Sequence, residues 1–335
     1  MKNLKKHSFI LLLVTLLVLY LVLKDNFSQI MGLLLSMKLG YLLLAVIFIF
    51  LYWVFKSIAM YIVARHYSKS IKGFNIFKQI VITQFFNGIT PFSTGGQPMQ
   101  IYMLKKSNIS LAKSTNIVMQ DFMMYQVALV LYGIFAVVTN YRFGFFESVP
   151  LLRRLVFLGF LINTLVCLMV VILCFSKKTS KKIFDLCFKI LSKIKFIKNP
   201  NEVREKWNNR LLEFQESADL FMRNKSLFLK GTILNILALT SYYIIPFFII
   251  LGMRDTTNMS VLNVIVSSAY TLVIGSFVPI PGGTGGIEYG FLKFFGNVNT
   301  GSTLSAMLLM WRFITYYLGM IIGGVMFSFY RGDEN

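Results

Sequence analysis

The chain has 335 residues, 56% of them hydrophobic, and a mean hydropathy of +0.68, where a soluble domain is about 45–50% apolar. Apolar runs of about 18 residues or more recur, which is the pattern of membrane-spanning helices, and no stretch is long enough for a separate soluble catalytic domain. The formal charge of +21, from 34 Lys and Arg against 13 Asp and Glu, is read as basic cytoplasmic loops attracted to anionic headgroups rather than as a nucleic-acid surface.

The N-terminal stretch "MKNLKKHSFILLLVTLLVLYLVLKD" has a basic start and an apolar core but no small-x-small cleavage site, so an uncleaved first span is expected. Six full spans are predicted near 8–24, 40–64, 115–139, 152–175, 227–251 and 301–330. Two further apolar segments, 74–104 and 259–298, are interrupted by Pro and Gly. Lys2, Lys5 and Lys6 place the N-terminus in the cytoplasm. Arg65, Lys69, Lys72 and Lys78 precede or open the first interrupted segment, and Lys105, Lys106 and Lys113 follow it. Both of its ends are therefore read as cytoplasmic, which makes it a re-entrant hairpin. Arg142, Arg153 and Arg154 fall outside and weaken the bias, which the basic loop 176–226 restores.

Within that loop, Ile183, Phe184, Cys187, Ile190, Leu191 and Ile194 share one helical face. After Asn199–Pro200, Val203, Trp207, Leu211, Phe214, Ala218 and Phe221 do the same. Two readings stand for these helices, an interfacial pair or a packed hairpin with no lipid-specific role. The fifth span ends outside near Arg254 and Asp255, the second interrupted segment enters from that side, and the last span returns Arg331 to the cytoplasm. Cys167, Cys174 and Cys187 suggest no disulfide framework, and His7 and His66 no metal site; no cofactor is implied.

The interrupted segments resemble each other. "FNGITPFSTGGQPMQIYML" and "GSFVPIPGGTGGIEYGFLKF" each carry a proline, a Gly-Gly pair, a polar residue and a second apolar run, and they hold four of the seven prolines. Gln97 precedes Asp121 by 24 positions, as Glu288 precedes Arg312. The order span, broken hairpin, span occurs twice, with the second copy inverted. Non-helical backbone cannot lie bare in hydrocarbon, and paired discontinuous helices in inverted repeats point to a transporter's binding site. Half-helix starts at Gly95–Gly96 and Gly285–Gly286 are expected to offer free N–H groups to an anion. The Gly-rich runs match no nucleotide-binding pattern.

Charges within spans usually pair or line a cavity, since each costs roughly 2.5–3.5 kcal/mol at a helix centre. The natural partner of Arg312 is Glu288, as a gate or headgroup clamp or as a structural ion pair. Asp121 is open to proton or lipid-amine binding, or to capping or snorkelling. Lys56 is expected to snorkel. Tyr316 and Tyr317 either bond a headgroup or pack as belt aromatics. A membrane transferase using Glu288 or Asp121 as base is the rival to transport.

The residues "ITPFSTGGQPMQIYML", "PIPGGTGGIEYG" and "WRFITYYLGMIIGG" resemble the transmembrane region of the lysylphosphatidylglycerol synthase/flippase family, from about the second span onward. The resemblance implies flipping of a phospholipid, possibly aminoacylated, and a link to cationic antimicrobial peptide resistance. In the full-length family members a separate cytosolic domain charges the lipid from aminoacyl-tRNA. The chain ends at "YRGDEN" without that domain, so lysyltransferase activity is not expected of it. Matched motif by motif, the resemblance makes Pro91, Gly95, Gly96, Gln97, Pro279, Gly282, Gly283, Glu288 and Arg312 headgroup-binding or gating candidates. The half-helix starts and spans add Asp121, Pro281, Gly285, Gly286 and Tyr316.

The expectation is thus an all-α polytopic membrane protein of six transmembrane helices plus two re-entrant hairpins, in one integral membrane domain over 1–335. Residues 1–39 form the first span and outer loop, 40–139 repeat one, 140–226 the fourth span and basic amphipathic helices, and 227–335 repeat two. It is placed in a bacterial cytoplasmic membrane with both termini cytoplasmic. Expected partners are anionic or aminoacylated phospholipids, a further copy of the chain and a separate lipid-modifying enzyme, but no nucleic acid.

Overall fold

A computed structural model describes residues 27–175, 224–253, 259–296 and 300–330, with isolated helical positions between 181 and 212. The expected span 8–24, the faces of the two amphipathic helices and the charges Arg254, Asp255 and Arg331 lie outside the described residues.

Every described element is helical. Among the described residues, four helices are long and apolar enough to cross a membrane, over Leu39–Tyr67, Leu111–Phe143, Lys225–Gly252 and Gly301–Ser328. The elements run α1 Phe27–Leu35, α2 Leu39–Tyr67, α3 Gly73–Ile89, α4 Gly96–Lys106, α5 Leu111–Phe143 and α6 Pro150–Phe175. They continue as α7 Lys225–Tyr243, α8 Ile245–Gly252, α9 Val261–Ser276, α10 Gly286–Phe295, α11 Gly301–Arg312 and α12 Leu318–Ser328. Helix α6 occupies the fourth expected span, with Arg153 and Arg154 near its start.

Local chemistry sets these boundaries. Ser110 caps α5 by accepting from the Lys113 N–H, and Gly144 closes it in the left-handed conformation at φ 65°, a common helix stop. The helix is accordingly longer than its apolar centre. The fifth span differs from its expected continuity. The chain breaks at Ile244, because Pro246 in the first turn of α8 has no N–H to carry the α7 ladder onward. The last span differs too, since a π-helical turn, Phe313–Tyr317, follows Arg312 and joins α11 to α12.

Both interrupted segments form two helices joined by a 3-10 turn, Pro91–Ser93 in the first and Pro281–Gly283 in the second. Thr90 lies at φ −112°, ψ 144° and Ile280 at φ −107°, ψ 144°. These are extended angles that a following proline imposes on the residue before it. Two left-handed residues then reverse the chain, Phe92 and Ser93 in one turn, Gly282 and Gly283 in the other. Thr94 and Thr284 each return a hydroxyl hydrogen bond to the proline carbonyl, at 3.0 and 2.9 Å. The turns thus share one backbone course. Glycine adopts it freely, whereas Phe92 and Ser93 carry a cost of roughly 1–2 kcal/mol each.

Packing interlocks the two halves. Helix α2 lies along α7, the two 3-10 turns touch, α3 packs on α12, and α9 packs on both α10 and α5. The α3–α12 seam is close, because a Cβ built on Gly323 would sit 2.5 Å from the Val81 carbonyl oxygen, and one on Gly319 would sit 3.1 Å from Gln84 Cβ. Small residues at four-residue spacing are what let membrane helices approach this nearly. Gly323→Ala is therefore expected to destabilise the folded protein by about 1–3 kcal/mol. Gly40→Ala, whose added methyl meets nothing within 4 Å, leaves stability unchanged or raised; thermal unfolding of both variants in detergent measures the difference.

Candidate functional site: a polar cavity between the broken helices

A cavity of about 630 Å³ opens between the two halves, within the usual range of ligand sites. Helices α2 to α7 and α9 to α11, the two 3-10 turns and the π turn all contribute to its wall. Its lining carries many polar groups: Gln84, Asn87, Gln97, Gln100, Gln126, Asn163 and Thr315, the hydroxyl-bearing Tyr52, Tyr125, Tyr242 and Tyr316, and the charged Lys56, Asp121 and Arg312.

Arg312 ends α11 and is buried, as is Glu288. Its Nε lies 2.7 Å from Glu288 Oε1, an ion pair without an in-line N–H bond. Nη1 and Nη2 donate to the Gly282 carbonyl at 3.4 and 3.3 Å, and Nη2 also to Thr284 Oγ1 at 3.3 Å. The guanidinium stands over the Tyr316 ring, 4.3 Å from its centroid. Tyr316 in turn donates to the Gly88 carbonyl at the end of α3, at 2.9 Å, and its ring fills the space a Gly282 side chain would need. Glu288 Oε2 accepts from the Gly285 N–H ahead of α10. One arginine therefore ties the second turn, the start of α10 and, through Tyr316, the first hairpin together.

The other charged group crosses between halves. Lys56 Nζ, on α2, donates to Asn235 Oδ1 of α7 at 2.8 Å and to Asp121 Oδ2 of α5 at 3.3 Å. It also lies 4.5 Å from the Tyr125 ring centroid. Asn235 is held by its own Nδ2–H bond to the Gly231 carbonyl, at 2.8 Å, and Asp121 Oδ1 is buried without a hydrogen bond. Lys56 does not snorkel and Asp121 does not cap a helix. Both turn inward, because each supplies the countercharge that the other needs away from water.

The structure separates the sequence candidates. Gly96, Gln97, Asp121, Gly282, Arg312 and Tyr316 line the cavity, whereas Pro91, Gly95, Pro279, Pro281, Gly283, Gly285, Gly286 and Glu288 lie outside its wall. The expected free N–H groups are partly taken. Gly95 N–H donates to Thr90 Oγ1 and Gly96 N–H to Asn87 Oδ1, both at 2.8 Å, and Gly285 N–H goes to Glu288. Side chains of the preceding helix cap the first half-helix, as unpaired donors at depth require. The matched 24-residue spacings also have unlike meanings. In register with the turns, Gln97 corresponds to Ile287 and Glu288 to Pro98, and Asp121 pairs with α2 rather than with its own hairpin. Asn235 escaped the sequence reading; its signal is a lone amide in the apolar run "GTILNILAL", where polar groups tend to join helices.

The family model described as the lysylphosphatidylglycerol synthase TM region matches residues 8–323. A "UPF0104 membrane protein" of Archaeoglobus fulgidus is 22% identical over 297 residues, covering 86% of each chain. An "Uncharacterized protein MG306 homolog" of Mycoplasma pneumoniae is 23% identical over 269 residues, 73% of this chain and 66% of that one.

Removing one member of the buried Arg312–Glu288 pair leaves the other uncompensated. Arg312→Ala and Glu288→Ala are each expected to cost about 3–5 kcal/mol, and the double variant less than their sum. Denaturation in mixed micelles of the two single variants and the double variant checks this cycle; strict additivity counts against the coupling.

Proposed function

The chain belongs to the lysylphosphatidylglycerol synthase TM-region family, and from that premise we propose that it moves a phospholipid between the leaflets of a bacterial cytoplasmic membrane. The observation that carries this reading is that both broken hairpins bring their turns to one polar cavity walled by Arg312, Lys56 and Asp121. A headgroup enters that cavity while its acyl chains stay in lipid, so the headgroup crosses without meeting hydrocarbon. The lipid is anionic or aminoacylated, and a separate enzyme supplies any aminoacyl group. The two copies of span, broken hairpin and span lie in opposite orientations, and rocking of one against the other exposes the cavity to each leaflet in turn. Both termini are cytoplasmic. The seam held by Arg312, Tyr316 and Gly88 closes one route into the cavity, and the protein works alone or with further copies of itself.

Reconstitution in vesicles carrying fluorescent or lysyl-phosphatidylglycerol tests the proposal. Leaflet exchange is expected with the wild-type chain and is expected to fall at least about tenfold with Gln97→Leu, which removes a cavity amide and no ion pair, a loss of roughly 1.4 kcal/mol. Formation of a modified lipid from a supplied donor, without exchange, would favour the transferase reading instead.

Topology has its own check in a cysteine-free background. Lys69→Cys is expected to label from the cytoplasmic side and Ser260→Cys from the outside. Labelling of both from one side removes the inverted arrangement.

A further inference from the structure

Resting on the lipid-transport reading, we propose that Asp121 is a proton-binding residue of the cavity. Its protonation frees Lys56 to take the phosphate of an anionic headgroup, so that one proton and one lipid anion load together. The geometry of three side chains carries this inference. Lys56 has its shorter hydrogen bond to Asn235, at 2.8 Å, and the looser contact to Asp121, at 3.3 Å. Asn235 is fixed by the Gly231 carbonyl, so its Oδ1 keeps facing Lys56 whatever Asp121 does. Asp121 Oδ1, buried and accepting no hydrogen bond, is the atom left open to a proton.

The charges require this pairing. A phosphodiester beside Lys56 faces the Asp121 carboxylate, and two anions so close in a low-dielectric cavity repel strongly. A proton on Oδ1 removes the repulsion and leaves the Lys56 ammonium to the phosphate. The loaded cavity then has the same net charge as the empty one, which suits a site crossing a membrane. No covalent bond changes; a proton moves from water to Oδ1 and returns to water on release.

Other groups near Asp121 leave the proton no better place. Lys56 and Tyr52 face it from α2, Tyr125 from α5 itself and Tyr242 from α7. Toward the cavity α4 presents Gly96, Gln97 and Gln100, α6 presents Asn163, and α9 presents Leu272 and Ser276, none of which titrates. Arg312 also lines the cavity but is engaged with Glu288. Glu288 is outside the cavity wall, with one oxygen on Gly285 N–H and the other at Arg312.

Calorimetric titration of the full chain in neutral detergent with short-chain phosphatidylglycerol, repeated in buffers of different ionisation enthalpy, tests the proposal. Uptake of about one proton per lipid is expected, with affinity rising by up to about tenfold for each unit the pH falls. Asp121→Asn is expected to bind with no proton uptake and a flat pH response, and Lys56→Met to bind at least about tenfold more weakly. Binding by the wild-type chain without proton uptake, no binding at all, or undiminished uptake in Asp121→Asn overturns the proposal. The wild-type measurement decides even if a variant fails to fold. In vesicles, a pH gradient is expected to drive phosphatidylglycerol exchange. Exchange indifferent to the gradient overturns the coupling and leaves lipid transport standing. Absence of exchange overturns the transport reading, and the calorimetry still decides whether proton and anion bind together.

Discussion

Arg312 is the group on which the second half of the protein depends. A helix interrupted in the middle of an apolar bundle exposes carbonyls and N–H groups that nothing in hydrocarbon can satisfy. At the second turn Arg312 answers several of these demands at once. It donates to the Gly282 carbonyl and to Thr284, lies beside Glu288, and covers the face of Tyr316. Glu288 carries the effect one residue group further, by accepting from the N–H that precedes α10. The carboxylate behind the glycines is therefore what allows an arginine to be there, and the arginine is what allows the helix to be broken.

The first turn reaches the same backbone course by other means. Its half-helix is capped by neutral oxygens, from Thr90 and Asn87, and its two left-handed positions carry Phe92 and Ser93 instead of glycines. The price is backbone strain where the second turn has none. The asymmetry leaves the first hairpin without an ion pair like the one between Arg312 and Glu288. The cavity charge that follows it, Asp121 on α5, is matched by Lys56 on α2, which also donates to Asn235 on α7. One charged cluster consolidates a hairpin, and the other connects three long helices.

How much of this the sequence carried follows from how local each cause is. The hairpin breaks were legible because a proline excludes the helical conformation from the residue before it, and the starts of α4 and α10 fall at the glycine pairs expected. The Glu288–Arg312 pair was legible because a buried charge needs a partner and one lay at hand. The Lys56–Asp121–Asn235 contact was not, since its members come from three helices, 65 and 179 positions apart in the chain. The π turn after Arg312 has no residue signature in the sequence. Pro246 did announce a break, but within a uniformly apolar run its cost is absorbed locally, and α7 and α8 together remain long enough to span.

The two ion pairs differ in a way that separates scaffold from site. Arg312 and Glu288 sit at 2.7 Å, and each has further bonds to the backbone of the turn that it stabilises. Exchanging either for a ligand would dismantle the hairpin. Lys56 and Asp121 sit at 3.3 Å with Asn235 as a second acceptor and one carboxylate oxygen unused. That pair can come apart without leaving Lys56 bare, because the amide keeps its hydrogen bond and the Tyr125 ring its contact. Arg312 supplies a fixed positive wall, and in the proposed mechanism the contact that yields to a headgroup is the one between Lys56 and Asp121.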